Sequence, residues 1–189
     1  MDSPDTKFAA QPAGRSPRAF TIMEVLVVVV IIAILASMLV PLYGSMMARA
    51  DEARCLANLR NLYLGASGYL QTNGIWPQIP VNQMVDEPKT YARAWVTALK
   101  PHGTSHATWI CPTIQRSFGI SIDALEEEQN YRIDFIATPF GDNPAAPWAA
   151  PTHPWFLEKS GVHSRGNLVI LANGTTSSLK DLAQIALGK

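Results

Sequence analysis

The longest apolar stretch of the chain lies close to its N-terminus. From Val25 to Val40, 16 consecutive residues carry no charge, and only Ser37 among them has a polar side chain. With residues 20–23 before it and 41–43 after it, the stretch is long enough to cross a bilayer as a helix. No second run of comparable length occurs in the 189 residues. The pattern therefore predicts one transmembrane helix over residues 20–43.

A helical period continues beyond this stretch. Apolar side chains recur three or four residues apart, at Leu56, Leu59, Tyr63, Ala66 and Leu70. Asn73-Gly74, followed by Pro77, is a typical signal for the end of a helix. We therefore expect one helix from Thr21 to about Thr72, with an amphipathic continuation over residues 44–73. Pro41 removes a backbone donor within it, so a kink or a locally melted turn is expected there.

Residues 74–189 alternate short elements with turns, which is typical of a globular head. Residues 74–119 are expected to be rich in loops, with one short helix at Tyr91–Leu99. Further patterns predict a helical turn and a terminal helix, at Asp123–Gln129 and Asp181–Leu187. They also predict four strands, at Trp109–Cys111, Tyr131–Thr138, Asn167–Ala172 and Thr175–Leu179. The last two would form a hairpin with a two-residue type I′ turn at Asn173-Gly174.

The expected fold class is therefore α+β, with a long N-terminal helix whose outer half packs on a small antiparallel sheet. Residues 142–154 contain four prolines and are expected to form an exposed loop. Residues 1–19 are also rich in proline and glycine, and they are expected to form a leader without regular structure.

Charge gives the orientation of the membrane helix. The whole chain has 15 Lys and Arg against 15 Asp and Glu, a balance that argues against a general nucleic-acid binder. Basic residues outnumber acidic ones before the apolar stretch, with Lys7, Arg15 and Arg18 against Asp2 and Asp5. The charges just after the stretch balance. This asymmetry predicts a single-pass protein with a cytoplasmic N-terminus and a head on the far side of the membrane.

Glu24 is the anomaly of the apolar segment. An ionised carboxylate within a membrane span costs several kcal/mol unless another group neutralises it, so Glu24 is a candidate functional residue. Three interpretations of the N-terminus compete. It is a cleavable secretory signal, an uncleaved anchor, or a leader that is removed between Ala19 and Phe20 while the apolar helix is retained.

The segment that begins Arg18-Ala19-Phe20-Thr21-Ile22-Met23-Glu24-Val25 resembles the prepilin signature of type IV pilins and type II secretion pseudopilins. The resemblance implies that Ala19, where Gly is usual, ends the leader. A membrane prepilin peptidase would cleave after it and methylate the new amino group of Phe20. The resemblance also implies that Glu24 guides assembly and that Pro41 is the helix-kinking proline of the family.

A second resemblance lies near the C-terminus. His163 is followed, after nine residues, by Asn173-Gly174. This is similar to the His-x9-Asp-Gly ending of a group of pseudopilin-like proteins, with Asn173 in place of Asp. The missing carboxylate weakens any inference of a metal at this turn.

The two resemblances together imply a type II secretion pseudopilin of the bacterial inner membrane, with its head in the periplasm. Its expected partners are the prepilin peptidase, membrane lipid, the inner-membrane assembly platform, and copies of itself and other pseudopilins in a filament. No nucleic-acid partner is expected. One alternative is a type IV pilus subunit for adhesion, motility or DNA uptake. The other is a membrane-tethered sugar-binding or hydrolytic domain.

Few residues suggest chemistry. We find no nucleophile elbow, phosphate loop or paired-acid motif, so we expect no enzyme, no catalytic residue and no cofactor. His102 and His106 are four residues apart but are better explained as surface loop histidines, and no metal site is expected. Five tryptophans are expected to pack in the core rather than to line a sugar-binding face.

Cys55 and Cys111 are the only two cysteines. In an exported protein an even number of cysteines suggests a disulfide, which would here join the head to the long helix. The alternative is a pair of unbonded buried thiols.

Overall fold

The computed structural model describes residues 20–125, 127 and 130–187. The chain divides between Tyr43 and Gly44 into two compact units. Helix α1 (Ile22–Asn73) begins in the first unit and continues into the second. Gly74 follows its last residue with a φ of 76°, a left-handed conformation that suits glycine at the end of a helix. The predicted long N-terminal helix is therefore confirmed.

The second unit contains the other elements. Its helices are α2 (Gln83–Asp86), α3 (Pro88–Leu99), α4 (Pro112–Phe118), α5 (Ile122–Leu125) and α6 (Leu179–Ala186), with 3₁₀ turns at Lys100–His102, His106–Trp109 and Ala146–Trp148. Its strands are β1 (Phe135–Ala137), β2 (Pro154–Glu158), β3 (Leu168–Leu171) and β4 (Thr176–Ser178). Neighbouring strands pair antiparallel in the order β1-β2-β3-β4. The predicted α+β class is confirmed.

One face of α1 forms a wall of the core of the second unit. Its buried apolar side chains are Cys55, Leu59, Leu62, Ala66 and Leu70. Leu56 and Tyr63, which the period placed on the buried stripe, are only partly buried against that core. The helical period was therefore right, but the buried face is rotated toward Cys55 and Leu62.

Tryptophan rings fill the space between helix and sheet. Trp76, Trp95, Trp109 and Trp155 are at most 2% exposed. The ring of Phe156 on β2 contacts three of them, with centroids 5.7–6.2 Å apart. Only Trp148 is substantially exposed, and its ring still lies 4.5 Å from that of Trp155. Four of the five tryptophans therefore supply apolar packing area, as the sequence predicts.

Polar contacts attach α1 to the head. The hydroxyl of Tyr63 donates to the backbone carbonyl of Ala172 at 3.0 Å. Arg116 Nη2 on α4 donates to Asp51 Oδ1 at 3.0 Å, and Asp51 is 1% exposed. These contacts fix the helix against both the β3–β4 hairpin and α4.

Two prolines of the region that was expected to be rich in loops begin helices. Pro88 and Pro112 occupy the first turns of α3 and α4. Proline suits this position because its missing N–H would have no helical partner there. The region 74–119 therefore contains α2 and α4 in addition to the predicted helix, and the expectation of a loop-rich region was wrong in this respect.

Two predicted strands differ from the structure. Trp109 ends a 3₁₀ turn, and Cys111 is extended but donates its N–H to Asp134 Oδ2 at 2.9 Å rather than to a strand. The predicted strand at Trp109–Cys111 is therefore wrong. The predicted strand Tyr131–Thr138 shortens to β1, which covers Phe135–Ala137.

Strand β2 was not predicted, and the expected loop over residues 142–154 is not wholly exposed. Pro147 is buried, and its carbonyl accepts a hydrogen bond from Trp155 Nε1 at 2.8 Å. β2 then starts at Pro154. This loop covers one side of the tryptophan cluster.

Strands β3 and β4 form the predicted hairpin, but its loop has three residues. Leu171 N donates to Thr175 O at 2.9 Å, and Gly174 N donates to Leu171 O at 2.9 Å. Gly174 has a φ of 78°, whereas no described residue other than glycine has a positive φ. A type I′ turn needs a left-handed residue at Asn173 as well, so that prediction was wrong.

The remaining helical predictions hold approximately. Helix α6 starts two residues before the predicted terminal helix and ends one residue before its end, and Ser178 Oγ accepts from the N–H of Asp181 at its start. Helix α5 covers the start of the predicted turn at Asp123–Gln129. Residues 126, 128 and 129 of that turn, and the whole predicted leader 1–19, lie outside the described residues.

Candidate functional site

The start of α1 is the first candidate site. Phe20 is 74% exposed, and the helix begins at Ile22. The backbone N–H of Glu24 donates to Thr21 Oγ1 at 3.2 Å, so Thr21 caps the helix. Thr21 was not singled out in the sequence, although Thr-Ile-Met-Glu has the Ser/Thr-x-x-Glu spacing of a capping box.

The surface of the first unit is apolar. Among the described residues, one helix segment is long and apolar enough to span a membrane, Ile22–Leu39, and none of it is buried within the chain. The hydroxyl of Ser37 donates to Ile34 O at 2.7 Å, so this polar group is satisfied within the helix. Such a surface needs lipid or other helices to cover it.

Glu24 lies at the N-terminal end of this surface, and its side chain is exposed. A negative charge in the first turn interacts favourably with the helix dipole. That interaction is small beside the desolvation of a carboxylate in a bilayer, so a membrane-embedded Glu24 still needs a cationic partner.

The apolar segment and the residues before it match a known family model. Residues 14–40 match the prokaryotic N-terminal methylation motif. The chain carries this methylation motif. No match was found among curated proteins or among solved structures.

The methylation motif fits the type IV pilin-like family, and the long helix with a small antiparallel sheet is a pilin-like arrangement. The motif is typical of structural filament subunits rather than of enzymes. It implies processing by a prepilin peptidase and assembly with pilin-like subunits, and its apolar helix fits anchoring in a membrane.

Ala19, Phe20 and Glu24 lie within the methylation motif, and Pro41 follows its last matched residue. Ala19 is outside the described residues, so cleavage between Ala19 and Phe20 stays a prediction. The backbone of α1 remains helical through Pro41, and the expected melted turn is not observed. A kink at Pro41 stays a prediction.

A second candidate site lies where α1 meets the head. Cys55 of α1 and Cys111 at the start of α4 form a disulfide, with their Cα atoms 5.2 Å apart. Both residues are fully buried. Their separation of 56 positions means that this bond closes a long loop containing α2 and α3.

Two buried titratable side chains lie beside the disulfide. His163 Nε2 is 3.4 Å from Cys111 Sγ and 3.2 Å from Glu158 Oε1. Glu158 ends β2 and is 0% exposed, and its Oε2 accepts a hydrogen bond from the N–H of Leu168 at 3.3 Å. Nothing in the sequence singled out Glu158, because only the fold brings it to the cysteines.

The charge state of His163 depends on opposing effects. Burial disfavours the protonated ring, whereas Glu158, together with Glu52 and Asp51, favours it. The acidic neighbours prevail, and the pKa of His163 is raised from its ordinary value. We call Cys55, Cys111, Glu158 and His163 the cysteine cluster. In this cluster an imidazole and a carboxylate lie beside two sulfur atoms.

The similarity to a His-x9-Asp-Gly ending involves two separate structural roles. His163 joins the cysteine cluster. Asn173 lies in the hairpin loop, where its Oδ1 accepts from the N–H of Thr175 at 2.9 Å. An amide oxygen serves this turn as well as a carboxylate oxygen does, because both accept one hydrogen bond from the backbone.

The other histidine candidates are apart from this cluster. His106 is 6% exposed, stacks on Tyr131 with ring centroids 4.3 Å apart, and has Nε2 2.7 Å from the carbonyl of Arg132. The interpretation of His106 as a surface histidine was therefore wrong.

Asp134 accepts a hydrogen bond from the N–H of Cys111 and is also buried. Burial raises the pKa of Asp134, although the N–H of Cys111 and the charge of Arg132 oppose that shift.

Proposed function

We propose that the chain is a type II secretion pseudopilin that is processed between Ala19 and Phe20 and assembles into a periplasmic pseudopilus. The observation that carries this proposal is the methylation motif over residues 14–40, with an exposed Glu24 at the start of an otherwise apolar helix. The ending at His163 and Asn173-Gly174 favours a pseudopilin over a type IV pilin.

The proposed mechanism is mechanical. Cleavage frees the amino group of Phe20, which is then methylated and stays cationic, and Glu24 follows four residues later, about 6 Å along a helix. Pairing of Glu24 with the amine of a neighbouring subunit neutralises two charges within the membrane. A helix inserted one turn out of register leaves both unpaired, and an unpaired charge costs up to about 2.5–3.5 kcal/mol, the value at the bilayer centre. The pair therefore selects the register between subunits.

The remainder of the chain has a supporting role in this proposal. The apolar surface of Ile22–Leu39 exchanges lipid for the helices of other subunits as they leave the inner membrane. The heads, each with its disulfide and tryptophan core, form the outer surface of the filament. Growth of the filament on its assembly platform pushes secreted proteins outward, and no catalytic residue takes part.

The proposal is tested by complementing a gene deletion with Glu24→Gln and Glu24→Ala, with Glu127→Gln as a control at an exposed acid of the head. We expect the control to restore both filaments and secretion. Both Glu24 variants should remain in the membrane at normal levels without forming filaments, and secretion should fail.

Two other outcomes contradict the proposal. Normal secretion with lost motility in the deletion strain identifies a type IV pilus subunit. Full function of Glu24→Ala identifies a tethered domain, because a tether does not need a charge that sets register.

A further inference from the structure

The cysteine cluster has the composition of a metal site. Cys55 and Cys111 contribute sulfur, His163 a ring nitrogen and Glu158 a carboxylate oxygen, and these four atoms all lie within 4.8 Å of one another. All four residues are buried. They come from α1, the start of α4, the end of β2 and the β2–β3 loop, so the folded head alone assembles them.

The distances suit a tetrahedral ion. Zinc binds sulfur at about 2.3 Å and nitrogen or oxygen at about 2.0–2.2 Å, which places neighbouring ligand atoms about 3.3–3.8 Å apart. His163 Nε2 is 3.4 Å from Cys111 Sγ and 3.2 Å from Glu158 Oε1, which is close to these separations between ligand atoms. The two sulfur atoms reach such a separation once the bond between them is broken.

Glu158 is fixed in place beside the two cysteines and His163. Its side chain is 0% exposed, and its Oε1 lies 3.2 Å from His163 Nε2, with no other partner among the described residues. A buried carboxylate is costly unless a cation neutralises it, and Zn²⁺ bound between Glu158 and His163 would do so when the imidazole is neutral. Oε2 is held by the N–H of Leu168, which fixes the orientation of the carboxylate toward the cluster.

We propose that the reduced head binds one Zn²⁺ through Cys55, Cys111, Glu158 and His163, and that the disulfide is the alternative, metal-free state of the same site. Two thiolates, a neutral imidazole and a carboxylate form a closed structural zinc site. Metal binding releases the two thiol protons. A disulfide oxidant then takes two electrons from the thiolates and becomes two thiols with two protons from solvent. The Cys55–Cys111 bond forms, and Zn²⁺ leaves.

The proposed zinc site does not depend on the role of the chain in a filament. It replaces the expectation, drawn from the sequence, that the chain has no metal site. In a reduced chain, zinc would join α1 to the head in place of the disulfide. The head would thus be held closed both before and after oxidation.

Cobalt titration of the full chain in detergent tests the site. The protein is reduced with a phosphine under argon, and Co²⁺ serves as a spectroscopic substitute for zinc. We expect one Co²⁺ per chain, with thiolate charge-transfer bands and the visible bands of tetrahedral cobalt, both lost on adding Zn²⁺. The oxidised protein should give neither signal.

Variants identify the ligands. Cys111→Ser, His163→Ala and Glu158→Gln should each weaken binding by more than about 10-fold, since even outer partners of metal ligands contribute that much. His153→Ala, which alters an exposed histidine outside the cluster, should bind as the unaltered chain does. Tetrahedral bands that are unchanged in His163→Ala or Glu158→Gln would overturn the assignment.

X-ray absorption at the zinc edge of the unaltered protein decides the matter if the variants do not fold. A shell of two sulfur and two nitrogen or oxygen atoms supports the proposal. A shell without sulfur, or a reduced chain that binds no zinc and does not regain native tryptophan emission when zinc is added, overturns it.

Discussion

Reducing the Cys55–Cys111 disulfide in the absence of metal should destabilise the head strongly. The bond joins α1 to the start of α4, and both sulfur atoms lie in the core. Reduction leaves every side chain in place, so it tests the cross-link itself rather than the packing of the residues that carry it.

The size of the effect follows from the loop that the bond closes. The cysteines are 56 positions apart. The chain-entropy relation for a loop of that length gives about 14 cal/mol/K, or about 4 kcal/mol at 25 °C. Native domains are stable by only about 5–15 kcal/mol, so this loss takes a large share of the free energy of unfolding.

Tryptophan fluorescence during urea unfolding of the processed chain in detergent measures the effect. All five tryptophans lie beyond residue 75, so the signal comes from the head. A chelator in every sample excludes metal, and a Cys55→Ala/Cys111→Ala double variant controls for direct effects of the reductant. If the oxidised and reduced chains differ by less than about 1 kcal/mol, the entropic reasoning is refuted.

Two substitutions test other contacts of the head by the same unfolding measurement. Gly174→Ala forces a side chain into a φ of 78° and should lose about 1–2 kcal/mol, whereas Gly141→Ala, with open space and no positive φ, should be nearly neutral. Arg116→Ala leaves buried Asp51 without its close partner and should lose about 2 kcal/mol. Arg54→Ala, 3.9 Å from Asp51 and largely exposed, should lose under about 0.5 kcal/mol. Equal losses within either pair would contradict the reasoning.

Helix α1 could be predicted because its signals are local. An uninterrupted apolar run, a helical period and a glycine after Asn73 each act over a few residues. The hairpin β3–β4 was visible for the same reason. Its loop length was not, because Gly174 lies against Tyr63 of α1, and that contact is set by tertiary packing.

Other features depend on contacts that are distant in sequence. Strand β2 is a short apolar segment next to prolines, and its pairing with β1 and β3 defines it as a strand. The helix that begins at Pro112 was missed, and the one that begins at Pro88 was predicted to start three residues later, because proline ends one element as readily as it begins another.

The cysteine cluster shows the same limit. Two cysteines and one histidine were noted in the sequence, but Glu158 had no pattern of its own. Only the sheet places the end of β2 beside α1 and α4. The residue types thus suggested the two cysteines and His163 as candidates, and only the fold showed that Glu158 lies beside them.

Mass spectrometry of the N-terminus of the protein from its native membrane is the decisive test of leader cleavage and methylation. The methylation motif covers residues 14–40, and we predict a chain that begins at Phe20 with a methylated amino group. Retention of Met1 to Ala19, or cleavage after Ala36 within the apolar helix, would contradict it.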